Sequence, residues 1–124
     1  MDENRFNKLV EALREREEME EVFLLDSDGN ILFKSEDFPL TADEAKSILK
    51  AWKEKEPALN FQGVRFAILK NDEIQLAAKN IANKRGNVVG SVCKGNEGEY
   101  LIAHTKDAGM LLEWSVFVNK VAWM

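Results

Sequence analysis

Residues 63–105 read GVRFAILKNDEIQLAAKNIANKRGNVVGSVCKGNEGEYLIAHT. This stretch decides the fold. It divides into four runs rich in β-branched, aromatic and other apolar residues: Val64 to Lys70, Ile74 to Ile81, Val88 to Lys94 and Tyr100 to Thr105. Between them lie Asn71-Asp72-Glu73, Asn83-Lys84-Arg85-Gly86-Asn87 and Gly95-Asn96-Glu97-Gly98, which carry the Gly, Asn and Asp that chain reversals need. Gaps this short join only antiparallel neighbours, so the stretch predicts a meander. Apolar residues fall on both parities, Phe66 and Ile68 against Ala67 and Leu69. Both faces of the sheet therefore need cover, and the rest of the chain has to provide it.

Outward from the meander, three apolar stripes recur at helical spacing. Phe6, Leu9, Val10 and Leu13 predict an amphipathic helix over residues 3 to about 18, with the charge run Arg14 to Glu21 as its solvated end. Val22 to Leu25 is a compact buried strand. Asp26-Ser27-Asp28-Gly29-Asn30 turns it into Ile31 to Lys34. That turn fails as a calcium loop, because its glycine comes too early and no glutamate closes the loop. Thr41-Ala42-Asp43-Glu44 is a capping box that opens a helix to about Lys55, with Ala45, Ile48, Leu49 and Trp52 inward and Pro57 just beyond. After the meander, Asp107 is the expected N-cap of a last helix. Met110, Leu111, Trp114, Phe117, Val118 and Val121 fill its inner face. The order is helix, strand, strand, helix, four strands, helix. It predicts an α+β fold for residues 1–124 as a single domain. About six antiparallel strands would carry the terminal helices on one face and the middle helix on the other.

The chain has 124 residues, 45% hydrophobic and 31% charged, which suits one core in one domain. No apolar run approaches a membrane span, and the start has no secretory pattern. A single cysteine, Cys93, removes any internal disulfide framework and suits a reducing, cytoplasmic compartment. On a strand it reads as a small packed hydrophobe. The net charge of -5 is unevenly spread: sixteen acidic and nine basic residues through residue 60, six acidic and eight basic beyond it. Arg65, Lys70, Lys79, Lys84, Arg85 and Lys94 lie on the meander or its turns. They read either as solvated strand edges or as a face for an acidic partner. Nucleic acid is a poor fit for a chain acidic overall and without a binding motif.

Catalytic constellations are missing. His104 ends a strand with no sequence partner that marks a triad or a metal site. Lys84-Arg85-Gly86-Asn87 has a lone glycine and is no phosphate loop. The carboxylates show no acid–base spacing. Trp52 and Trp114 fit a core, and Trp123 fits a core or a binding platform equally. The chain reads as a binding module, not an enzyme, with neither metal nor cofactor.

Gly29-Asn30-Ile31-Leu32-Phe33-Lys34-Ser35 with Phe38 beyond it resembles the G-x-V-W-A-x-S strand and loop phenylalanine of profilins. The T-x-x-E helix start at Thr41 and Glu44, the strand from Gly63, the hairpin at Lys70-Asn71-Asp72-Glu73 and both terminal helices continue the likeness over nearly the whole chain. In character the sequence is most similar to the short, charge-rich profilins of Asgard archaea. The resemblance implies a monomeric cytoplasmic protein, associated with the cytoskeleton, that binds monomeric actin on its barbed-end face and regulates polymerisation. Carried over by position, the actin surface comprises Lys70, Lys79, Lys84, Arg85, Lys94, Gly109, Glu113 and Phe117.

The second profilin site, an aromatic groove for proline-rich peptides between the terminal helices, is poorly matched. Its first-helix aromatics fall on Phe6 and Leu9, its strand tryptophan falls on Leu32, and Trp123 stands in at the other side. The resemblance thus implies weak or no polyproline binding. Binding of acidic phosphoinositides through Lys84, Arg85 and Lys94 stays open. The alternative is a roadblock or longin-type scaffold, dimeric and serving small GTPases. It shares the opening helix–hairpin–helix order but typically has three strands before the last helix.

Overall fold

The computed structural model describes residues 1–82, 85–107 and 109–124, with only the backbone at 96 and 97. Its elements are α1 (Glu3–Leu13), β1 (Met19–Asp26), β2 (Ile31–Lys34), α2 (Ala42–Lys53), β3 (Ala58–Phe61), β4 (Val64–Asn71), β5 (Gln75–Lys79), β6 (Asn87–Cys93), β7 (Asn96–Thr105) and α3 (Leu111–Ala122). The strands form one antiparallel sheet in the order β2-β1-β7-β6-β5-β4-β3.

The sheet thus has seven strands where the sequence suggested about six. The extra one, β3, follows Pro57 directly and is four residues long. It reverses into β4 through Gln62 and Gly63, both at positive φ (52° and 78°), the backbone of a tight hairpin turn. Gln62 gives no hint of that geometry in sequence. Its strain is held by Glu44, whose carboxylate accepts from the Gln62 backbone and side-chain amides.

Two cores lie on opposite faces of the sheet. On one, α2 lays Ile48, Leu49 and Trp52 over Phe23, Leu25, Phe66, Leu76, Val88 and Ile102. On the other, Phe6, Leu9 and Leu13 of α1 join Trp114, Val118 and Val121 of α3 over Val22, Leu24, Ala77, Val89, Leu101 and Ala103. The terminal helices therefore share one face and the middle helix takes the other. Fully burying each large apolar side chain contributes about 1.5–3 kcal/mol before entropy is counted. Gly90 leaves room for the Trp52 ring: a Cβ there would sit 2.8 Å from Trp52 Cζ3 and 3.2 Å from the Leu101 carbonyl oxygen. Trp52 is also held by its indole N–H, which donates to the Asp72 carbonyl at 2.9 Å.

Of the two predicted caps, one matches expectation and one does not, and the first helix ends early. Thr41 Oγ1 accepts from the Glu44 amide at 3.1 Å, the N-cap bond of the predicted box, while the Glu44 carboxylate serves Gln62. The first helix, however, stops at Leu13 instead of reaching 18. The run Arg14 to Glu18 offers no apolar residue to extend its stripe, and the chain enters β1 at Met19. Asp107 is not the cap of α3 either. Met110, at φ 55°, precedes that helix without a side-chain cap. Asp107 instead accepts from the Gly109 amide at 2.8 Å and from the Trp114 indole N–H at 3.3 Å. Asn87 holds the same segment by donating to the Asp107 and Gly109 carbonyls at 2.9 and 3.0 Å. Among the described residues no helix is long and apolar enough to cross a membrane.

Candidate partner-binding face

Beside α3, the outer strands β4 and β5 present a strip of sheet that the helix covers only in part, with Ala77 of β5 buried against it. Side chains alternate along each strand. Because Phe66, Ile68, Leu76 and Ala78 belong to the α2 side, Arg65, Ala67, Gln75, Ala77 and Lys79 take the α3 side. A bulge between Ile68 and Lys70 sets Lys70 opposite Ala77, on that same side. The residue in the bulge, Leu69, is thrust out and 60% exposed. Arg65 is exposed, and Lys70 and Lys79 are half-buried.

The seam between this strip and α3 is polar. Gln75 Oε1 accepts from Lys70 Nζ at 2.7 Å and from Ser115 Oγ at 3.3 Å. Asn119 Nδ2 donates to Ser91 Oγ at 2.9 Å. These bonds fix which flank of α3 looks across β5. At helical spacing that flank also carries Leu112, Val116 and Trp123. Leu112 and Val116 are 58% and 56% exposed, and Ile74, at the end of the strip, is exposed as well. The face thus offers exposed apolar side chains on α3 and at the β4–β5 turn, together with the cations of β4 and β5. A desolvatable apolar surface with charges on the same face suits a protein partner.

The residues selected from sequence distribute unevenly over this geometry. Lys70 and Lys79 sit on the strip. Lys84 lies outside the described residues. Arg85 is exposed in the loop before β6, and its carbonyl accepts from His104 Nε2 at 2.7 Å. Lys94 occupies the β6–β7 turn, where its amide donates to the Ala122 carbonyl at the end of α3. Gly109 is half-buried in the lead-in to α3, and Glu113 is exposed on the first turn. Phe117 turns toward α1, half-buried beneath the Arg16 guanidinium. Arg65, already among the meander cations of the sequence reading, shares this face with Leu69, Ile74, Leu112 and Val116, which the sequence did not single out. The four-residue spacing of Leu112 and Val116 was readable, but the flank they face is set by the Ser115 and Asn119 bonds.

The four residues assigned to an aromatic groove are not brought together. Phe6 and Leu9 are buried between α1 and the sheet. The ring stacked on Phe6 belongs to Phe33, with centroids 5.4 Å apart, and Leu32 stays at the surface. A register shift between Leu24 and Leu25 accompanies this exchange. Trp123 lies on the flank of α3 away from α1, its indole N–H donating to the Val92 carbonyl at 2.9 Å.

At the far end of β7, His104 has partners that its sequence neighbourhood does not announce. Its Nδ1 lies 3.4 Å from a Glu21 carboxylate oxygen, and Nε2 faces the Arg85 carbonyl. Burial alone would disfavour the imidazolium. The two acceptors, one on each ring nitrogen, outweigh it and raise the His104 pKa above its ordinary value. The same hydrogen bond lowers that of Glu21, against a smaller penalty from burial. Cys93 is fully buried, and desolvation pushes its thiol up to about 11.

Comparison with known proteins places this fold. The family profile described as Profilin matches residues 4–122. Loki profilin-3 of Lokiarchaeum sp. is 64% identical over 124 residues, covering 99% of each chain. Among solved structures, LokiProfilin2, determined in complex with rabbit actin, superposes with a TM-score of 0.82 at 20% identity, over 98% of this chain and 95% of that one. The profilin of Schizosaccharomyces pombe superposes with a TM-score of 0.74 at 11% identity, over 92% and 90%. The profile match over nearly the whole length removes the roadblock and longin readings. With terminal helices on one face of an antiparallel sheet, the middle helix on the other, and a close relative that carries the name, the chain belongs to the profilin family.

Proposed function

We propose that this chain binds monomeric actin through the strip formed by β4, β5 and the outward flank of α3, and that covering the monomer there slows spontaneous nucleation. The observation that carries the reading is the set of exposed apolar side chains Leu112 and Val116 on α3 and Ile74 at the β4–β5 turn, on the face that also carries Arg65, Lys70 and Lys79, in a chain that is acidic overall. The kinship to Loki profilin-3 and the shared fold with LokiProfilin2, which was captured with rabbit actin, support it. The cations draw an acidic partner over a long range, and the apolar side chains supply the area that holds it. A monomer occupied at its barbed-end face cannot add another subunit there, so nuclei form more slowly.

Fluorescent actin polymerised with increasing protein gives the test. The expected result is a lengthening lag with a one-to-one complex in sedimentation. An unchanged lag at tens of micromolar protein, with both eukaryotic and archaeal actin, overturns the reading.

A further inference from the structure

At the C-terminal end of α3 the strip deepens into an open cleft of about 630 Å³, lined by Trp123 and Asn119 on the helix side and by Lys70, Asp72, Glu73, Ile74 and Gln75 on the strand side, together with Lys55. We propose that this cleft is a specificity pocket for the actin partner, receiving one bulky apolar side chain from a segment that protrudes from the monomer. The inference rests on the actin reading above and adds a contact to it.

Three features lead to this occupant. The first is the wall pair. Trp123 and Ile74 are 36% and 45% exposed, one on each side, so an inserted side chain meets apolar surface twice. The second is rigidity. The Trp123 indole is pinned by its bond to the Val92 carbonyl. Ile74 sits in a turn whose amides at 74 and 75 both donate to Asp72 Oδ1, at 2.8 and 2.7 Å. Little ordering remains to be done on binding, which is the condition for a hot spot. The third is continuity. Gln75, at the floor, is the residue that ties β4, β5 and α3 together beside Leu112 and Val116. A partner seated on those two residues has its edge at the mouth of the cleft. The volume accommodates a large side chain with a few flanking backbone atoms, and Asn119, the two lysines and the carboxylates of Asp72 and Glu73 offer polar contacts to those atoms.

The experiment compares wild type with Ile74→Ser and Trp123→Ala for binding to labelled monomeric actin, with thermal midpoints recorded for each. Because Ile74 is exposed in a turn, Ile74→Ser keeps the test valid should Trp123→Ala weaken the fold. A second readout uses protein carrying fluorotryptophan. The Trp123 resonance, assigned with Trp123→Phe, should shift on adding actin while those of the buried Trp52 and Trp114 stay in place. The expected result is a loss of about tenfold in affinity for each variant. Wild-type binding with both variants within twofold, and an unmoved Trp123 resonance, overturns the pocket and leaves the actin reading standing. Absence of wild-type binding overturns the actin reading itself.

Discussion

The Arg16 guanidinium lies over the Phe117 ring, 4.1 Å from its centroid, and reaches the Trp114 ring at 5.8 Å. This bridge closes the space between the segment after α1 and the helix α3. Phe117 packs against the core formed by α1 and α3, while the neighbouring Val116 points outward.

Two substitutions one residue apart should therefore separate stability from binding. Phe117→Ala removes a half-buried ring and should cost about 1–3 kcal/mol in denaturant unfolding, with actin affinity changed less than threefold. Val116→Asp should leave stability within about 0.5 kcal/mol and weaken the actin complex tenfold or more. A reversed pattern would place the contact on the α1 side.

The strip's cations predict a salt response. Arg65→Glu combined with Lys79→Glu should slow association and weaken the complex about tenfold at low ionic strength, and the difference should shrink as salt rises. Lys70 is a less clean probe, since replacing it also removes its hydrogen bond to Gln75 at the seam. Equal wild-type affinity at low and high salt would show that these charges serve only solvation.

Proline-rich ligands need aromatic planes that stand open. Here the Phe6 ring is 1% exposed and closed off by Phe33. An oligoproline peptide should produce no saturable change in amide shifts, in wild type or in Trp123→Ala. Saturation in the low micromolar range would overturn this, whichever residue it moved.

The pair Glu21–His104 makes stability depend on pH in a definite window. His104, raised above 6.5, contributes fully below that value, and its share is lost as pH rises through the folded pKa. Glu21, lowered below 4.5, contributes fully above that value, and its share is lost as pH falls through the folded pKa. The pair therefore contributes most between 4.5 and 6.5. Unfolding midpoints measured across pH should lose this feature in His104→Gln. An identical pH profile for that variant would show that the pair adds nothing.

The close packing of Gly90 under Trp52 gives a steric test. Gly90→Ala keeps an ordinary strand backbone but places a methyl against the indole, so it should cost about 1–3 kcal/mol by overpacking. Differential scanning calorimetry would show the loss, and Gly90→Ala in a Trp52→Phe background should recover part of it.

What the sequence disclosed follows the range of the interactions involved. Strands of the meander, the Thr41 cap and the inward stripe of α2 depend on neighbours within a few residues, and these were legible. Short β3 was not, because four residues after a proline carry no period and the turn at Gln62 uses a residue without turn character. The exchange of Phe33 for Leu32 against Phe6 accompanies a register shift in the partner strand, and one step of register moves a side chain to the opposite face. Phe117 and Val116 were indistinguishable as apolar helix residues until Arg16 and Ser115 fixed the rotation of α3. Family likeness supplied the region of the face, and tertiary contacts chose its residues.

The position of β7 inside the sheet, between β1 and β6, governs how this protein can be made. Phe23 pairs with Ile102, so a strand synthesised early waits for a partner that emerges about 80 residues later, and such distant closures slow folding. Until then Val22, Phe23, Leu24 and Leu25 have no strand on that side. The hairpins from β3 to β6 can form as they leave the ribosome, but α1, β1 and β2 cannot lock onto them before β7 arrives. The nascent chain thus carries an unpaired apolar strand through most of its synthesis, and its safe delivery depends on how quickly the last quarter of the chain is completed.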